Sequence, residues 1–264
     1  KNIGYINKFI MIFIEIIGFP GAGKTYLLKK IFGEINKKNI DVVRNDKYLF
    51  NYFTKNFLNK VILNYFYEYK IKEKFYSKYI FSKQYQFLSN KVNLIIKKKK
   101  LFNVIKIFKK ILQKSKLNKM GKERALDNFK IDLCTFFLDT KAERKTLIND
   151  EGLFQKIFLI YKKKNNYKVI KKIINEYLKV IPTPDLVILL DVNKDICFER
   201  ASLRKGGFIY EKNDKNEIFG LFSKIMKDIK KILIKKKIKV INIKEDIVNK
   251  KTILKIKNNI LKIK

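Results

Sequence analysis

The sequence predicts an α/β fold: a parallel sheet of five strands with flanking helices, interrupted by a long helical insertion. Three observations carry this. An apolar run, Phe9 to Ile17, leads into Gly18-Phe19-Pro20-Gly21-Ala22-Gly23-Lys24-Thr25, which reads G-x-x-x-x-G-K-T. Behind that motif, Tyr26 to Ile35 places Leu27, Leu28, Ile31 and Ile35 on one helical face. Far along the chain, Leu186 to Leu190 is an unbroken apolar run ending at Asp191, the pattern of a central parallel strand covered on both faces.

The motif has a physical reading because strand and helix flank it. Its glycines let backbone N–H groups curl around phosphate oxygens, and the following helix adds its positive end. The sequence thus predicts a fold of the P-loop NTPase type, with ATP and Mg²⁺ as the expected cofactors. Gly18, Pro20, Gly21, Ala22, Gly23, Lys24, Thr25 and Tyr26 are the expected nucleotide-binding residues. Lys24 would reach the β- and γ-phosphates, and the Thr25 hydroxyl would ligate the metal.

The remaining elements follow in order. The first strand spans about 12–17 and its helix about 24–36. A second strand, Ile40 to Val43, ends at Arg44-Asn45-Asp46, charged residues that suit the ligand-binding edge of a parallel sheet. Residues 47–145 carry almost no strand signal. Tyr, Phe and Lys follow helical rhythm through 48–90, and Leu94 to Leu112 is amphipathic apart from Lys97 to Lys100. The third strand, Thr146 to Asn149, ends in Asp150-Glu151-Gly152. Helical patterns return at Leu153 to Tyr161 and Tyr167 to Val180, and Pro182 and Pro184 break them before the fourth strand. A helix bearing Cys197, Phe198, Glu199 and Arg200 runs to Arg204-Lys205-Gly206-Gly207. Lys239 to Ile243 reads as the last strand, and a closing helix covers about Ile247 to Leu261. With no internal repeat and no Pro/Gly/Ser-rich linker, residues 1–264 read as one domain, with 47–145 inserted into it.

Composition narrows the chemistry. The net charge is +38, yet of 62 basic residues only Arg44, Arg124, Arg144, Arg200 and Arg204 are arginines. The lysines run along the whole chain, and diffuse charge reads first as a solvated surface. The Lys97–Lys100 run has two readings, a solvated helix face or a site for phosphate, RNA or lipid head groups. The absence of His makes zinc and haem sites of the usual kinds unexpected. Cys134 and Cys197 lie in apolar stretches and read as structural thiols in a reducing cytoplasm. Phe9 to Phe19 is too short to cross a membrane and contains Glu15. Met11 is the first methionine, so residues 1–10 either precede the native start or mark the chain as a fragment.

Phosphoryl transfer needs in-line positioning and positive charge on the moving group. Lys24 and the loop amides would hold the donor, and Thr25 with Asp150 would hold Mg²⁺, Asp150 acting as a Walker-B aspartate. Arg200 and Arg204 share a helix face ahead of the Gly206-Gly207 hinge, which suits an arginine lid over 200–212. The alternative for Arg200 is pairing with a helix-surface carboxylate. Glu151 has three readings: a base or orienting group for an acceptor hydroxyl, a second Mg²⁺ partner, or a helix N-terminal cap. Lys24, Asp150, Glu151, Arg200 and Arg204 are thus the candidate catalytic residues.

GFPGAGKT, the acidic turn NDEG, the strand PDLVILLDV and the following ERASLRKGG together resemble thymidylate kinase and related nucleotide and nucleoside kinases. The resemblance covers about 11–46 and 146–250. It implies strand order 2-3-1-4-5 and a lid at Arg200, Arg204 and Lys205. It also implies the branch that places its catalytic charge in the lid, since Phe19, Pro20 and Ala22 are not basic. Where that family ends its third strand in Asp-Arg, this chain has Asp150-Glu151-Gly152.

The expected function is ATP-dependent phosphoryl transfer to a small-molecule acceptor of nucleotide, nucleoside or sugar type, covered on the acceptor side by 47–145. Two alternatives stand beside it: a nucleic-acid-directed kinase or binder using the Lys-rich insertion, and a nucleotide-dependent switch ATPase. The sequence leaves open the acceptor, ATP against GTP, and oligomeric state, a dimer included.

Overall fold

The computed structural model describes residues 12–35, 42–43, 90–137, 146–160, 167–203, 215–244 and 249–263. The Phe9–Phe19 run becomes strand β1, Ile12–Gly18, and is buried at nearly every position. Burial of both alternate sets of side chains means that the sheet is covered on both faces. Four strands of four to seven residues carry the sheet: β1, β3 (Thr146–Asn149), β4 (Leu186–Leu190) and β5 (Lys239–Ile243). A two-residue strand, β2 (Val42–Val43), lies on the edge beside β3. All pairings are parallel, and the order is β2-β3-β1-β4-β5. The register sets Glu15 opposite Asn149 and Gly18 opposite Leu190, so the ends of three strands converge where the phosphate-binding motif begins.

The helices are α1 (Lys24–Ile35), α2 (Phe102–Gln113), α3 (Lys119–Thr135), α4 (Tyr167–Val180), α5 (Lys194–Ser202), α6 (Lys215–Lys235) and α7 (Lys250–Leu261). Asparagine starts three of them. Asn118, Asn193 and Asn249 each accept a backbone N–H from the first turn of α3, α5 and α7, an interaction worth about 1 kcal/mol. Between residues 90 and 135 the chain forms three helical stretches, 90–98, α2 and α3, joined by turns at 99–101 and 114–118. α2 packs on α4, on α3 and on the short helix after β3. The stacked rings of Phe108 and Phe129, centroids 3.9 Å apart, and the buried Tyr177 join α2, α3 and α4 in one core. Lys97 to Lys100 are exposed.

Two elements differ from the sequence expectation. Leu153 to Tyr161 reads as an ordinary helix, but the chain forms a 3₁₀ helix, Gln155–Ile160. Its Ile157, Phe158 and Ile160 are buried, and the helix packs against β1 and α2. α6 is absent from the expectation altogether, although Ile218, Phe219, Phe222, Ile225, Met226, Ile229 and Leu233 recur at helical spacing and are all buried. Ile40, Arg44 to Asp46, residues 47–89, Arg144, Tyr161, Arg204 to Gly207 and Ile247 lie outside the described residues. Among the described residues no helix is long and apolar enough to cross a membrane.

Candidate phosphate-binding site

The loop between β1 and α1 is shaped by two glycines with left-handed backbone. Gly21 has φ +86° and Gly23 φ +88°. An added Cβ at Gly21 would lie 1.9 Å from the Cys197 carbonyl oxygen, so the loop is pressed against the backbone of α5. Gly23 faces open space, and its carbonyl accepts the Leu27 N–H at 2.9 Å to start α1. Phe19 turns the other way, into a cluster with Phe158, Phe219 and Phe222 at centroid distances of 6.2, 5.7 and 6.4 Å. The loop is therefore held by α5 on one side and by the 3₁₀ helix and α6 on the other. Pro20 and Ala22 complete the turn, with Ala22 N–H bonded to Phe19 O at 3.0 Å.

Lys24 and Thr25 open α1. Lys24 Nζ donates to the carbonyl oxygens of Gly18 and Phe19, each at 3.1 Å, so the ammonium lies back over the loop. Thr25 Oγ1 donates to Asp150 Oδ2 at 2.8 Å across 125 residues of chain. Thr25 is exposed while Asp150 is 7% exposed, so the carboxylate is walled in except toward the loop mouth. Tyr26, half exposed, has the Lys30 ammonium 5.5 Å from its ring centroid. Glu151 points to solvent, and its N–H donates to Asn149 Oδ1 at 2.9 Å, which tightens the turn after β3. That turn runs into a 3₁₀ helix and not an α-helix, so Glu151 caps no α-helix.

Beneath the turn lies a buried polar network that the sequence expectation does not include. Lys156 Nζ donates to Asp132 Oδ2 of α3 and to the Glu151 carbonyl, the latter at 2.6 Å. Asn149 Nδ2 donates to the other Asp132 oxygen at 3.1 Å, and Tyr177 OH to Leu153 O at 2.8 Å. Glu15 of β1, 3% exposed, accepts the Gln155 N–H at 2.8 Å. Gly152 lies against it: a Cβ there would come within 2.4 Å of the Glu15 carboxyl carbon, so any larger residue would have to displace that side chain.

Burial pushes the Glu15 carboxyl up from 4.5 to about 7, against the opposing pull of the Gln155 and Phe154 backbone N–H groups and the Lys156 ammonium. The folded protein thus holds this proton more tightly than the unfolded chain. Its stabilising contribution is whole below about pH 4.5 and is lost as pH rises through about 7. The span corresponds to about 3 kcal/mol. Glu15→Gln, neutral at every pH, is expected to remove that slope. Urea denaturation across this range should show the variant gaining on the wild type as pH rises, and parallel curves would refute the assignment.

Arg200 sits in the last turn of α5, one turn beyond the Cys197 carbonyl against which Gly21 packs. Its backbone is helical, so the expected lid stretch 200–212 begins inside α5, with Leu203 after the helix 82% exposed. Arg204 lies outside the described residues; among the described ones, Thr25 and Asp150 are in direct contact, with Lys24 beside them on the loop. Asp191, at the end of β4, accepts from Lys230 of α6 at 2.9 Å.

Among the described residues no group of three or more acidic, His or Cys side chains gathers to hold a metal. Thr25 Oγ1 and Asp150 Oδ2 are two hard oxygens at the loop mouth. That donor set fits Mg²⁺, which keeps several waters and takes one or two protein oxygens plus phosphate oxygens.

No family model and no curated protein matches the chain. Among solved structures, it is similar to deoxyadenosine kinase from M. mycoides with bound dATP, at 13% identity and TM-score 0.48, over 95% of this chain and 100% of that one. The same protein with bound dCTP gives 13% identity and TM-score 0.45 over the same shares. With products dCMP and a flexible dCDP bound, it gives 15% and 0.45 over 96% and 100%. The chemistry of the site rests on the chain's own residues.

Proposed function

We propose that the chain is an ATP-dependent kinase of a small molecule of nucleotide, nucleoside or sugar type, related to the thymidylate kinase group. The observation that carries this reading is the 2.8 Å bond between Thr25 and Asp150, set beside a glycine-shaped loop on which Lys24 is folded back. In this reading the loop amides and the start of α1 bind the donor phosphates. Lys24 leaves its two carbonyl acceptors to bridge β- and γ-phosphate oxygens. Thr25 and Asp150 would hold Mg²⁺, which when bound would neutralise charge on the phosphate oxygens. Glu151, exposed at the edge of the same turn, orients the acceptor hydroxyl. Arg200 and Arg204 bring positive charge to the transferring group as a lid over 200–212 closes, and the insertion 47–145 covers the acceptor.

A coupled ADP-release assay tests this, with Mg·ATP against nucleosides, nucleotides, sugars, sugar nucleotides and short RNA. Acceptor-stimulated release is expected, and Lys24→Ala is expected to lower it by about 10³-fold or more while the circular dichroism is unchanged. A Lys24→Ala protein with wild-type turnover would sink the reading. Release stimulated by RNA alone would favour the nucleic-acid-directed alternative, and release indifferent to every acceptor would favour the switch ATPase.

A further inference from the structure

β3 pairs with β1 only as far as Glu15 and Asn149, whereas β4 follows β1 to Gly18. Beyond Glu15, no strand among the described residues lies beside the edge of β1 that faces β3. A backbone N–H left there needs another acceptor. Gly18 N–H donates to Gln155 Oε1 at 3.0 Å, and the Gln155 N–H donates to Glu15 Oε1 at 2.8 Å. One residue of the 3₁₀ helix thus grips β1 at two points three residues apart. Gly18 is also the residue whose carbonyl holds Lys24 Nζ. Gln155 follows Asp150 by five residues, through a turn pinned by Lys156 on the Glu151 carbonyl.

We propose that Gln155 is a positioning residue of the phosphate site. Its carboxamide holds Gly18, and with it the resting place of Lys24, at a set distance from the turn that presents Asp150 to Thr25. The side chain at this position must supply an acceptor to do so, since the Gly18 N–H can only donate. The proposal rests on the kinase reading, because its consequence is felt when Mg·ATP binds.

The experiment is calorimetric titration of Mg·ATP into the wild type, Gln155→Met, Gln155→Glu and Lys24→Ala, with melting temperatures measured without nucleotide. Gln155→Met keeps the volume and loses the acceptor, and is expected to weaken binding about tenfold, the equivalent of one hydrogen bond of this kind, while melting within a few degrees of the wild type. Gln155→Glu keeps an oxygen for Gly18 and is expected to bind within about threefold of the wild type, well inside one hydrogen bond's worth. If Gln155→Met melts too low to titrate, Gln155→Asn, whose carboxamide falls short of Gly18, is expected to weaken binding in the same direction. Wild-type affinity in Gln155→Met or Gln155→Asn overturns the proposal, as does Gln155→Glu losing as much affinity as Gln155→Met. Those results leave the kinase reading standing, whereas a wild type that takes up no Mg·ATP overturns both.

Discussion

Gly21→Ala is expected to be the most damaging single methyl addition in the described chain. The substitution meets two obstacles at once. A Cβ at φ +86° is strained by about 1–2 kcal/mol. It would also lie 1.9 Å from the Cys197 carbonyl oxygen and 2.8 Å from its carbon, which belong to the backbone of α5 and cannot rotate away. Relief requires α5 to retreat from the loop, at a further cost of about 1–3 kcal/mol as in other overpacked cores. The expected result is a fall in stability of about 2–5 kcal/mol together with loss of Mg·ATP binding, because the loop and Arg200 move apart. Gly23→Ala is the matched control. Gly23 has nearly the same φ, +88°, but no atom within 4 Å of its Cβ position. It should therefore show the strain alone, about 1–2 kcal/mol. Thermal or urea denaturation of the two variants side by side separates the terms. Equal losses would mean that the contact with α5 contributes nothing.

Lys156→Met is expected to cost about 3–5 kcal/mol, the usual penalty for leaving one partner of a buried ion pair alone. Lys156 and Asp132 are each 8% exposed, and removal of the ammonium leaves the Asp132 carboxylate with Asn149 as its described partner. The Glu151 carbonyl loses its donor at the same time. The loss is thus structural and local to the turn that carries Asp150, so Mg·ATP affinity should fall along with stability. Adding Asp132→Leu to the variant is expected to recover most of the stability, because a buried pair replaced whole by apolar groups is often neutral. Recovery of stability without recovery of affinity would show that Lys156 holds the turn as well as the fold. A Lys156→Met protein as stable as the wild type would mean that the pair is not buried in solution.

The strand–loop–helix around Gly18 to Thr25 was legible because each piece leaves a local mark: an apolar run, paired glycines, a 3.6-residue stripe. Leu186 to Leu190 and Thr146 to Asn149 were legible for the same reason, each being apolar and ending at a charge. α6, missing from the sequence expectation, carries an equally plain stripe from Ile218 to Leu233, as strong a helical signal as those of the expected helices. The 3₁₀ helix at Gln155 to Ile160 was not legible, since its apolar residues fit either winding and the choice between them is not written in local periodicity.

The amino-acid order by itself determined the glycine-shaped loop, because G-x-x-x-x-G-K-T between a strand and a helix needs only neighbours in sequence to take its shape. It also marked Asp150 as the acid at the end of a strand. Only the tertiary structure decided that Thr25 and Asp150 lie 2.8 Å apart, that Glu15 is buried with a raised pKa, and that Gln155 takes the Gly18 N–H. Those facts depend on parallel strands brought together from positions more than a hundred residues apart, and on which surfaces they shut off from water. Hydrogen bonds and proton affinities of that kind are properties of an enclosure, and no local stretch of sequence contains one.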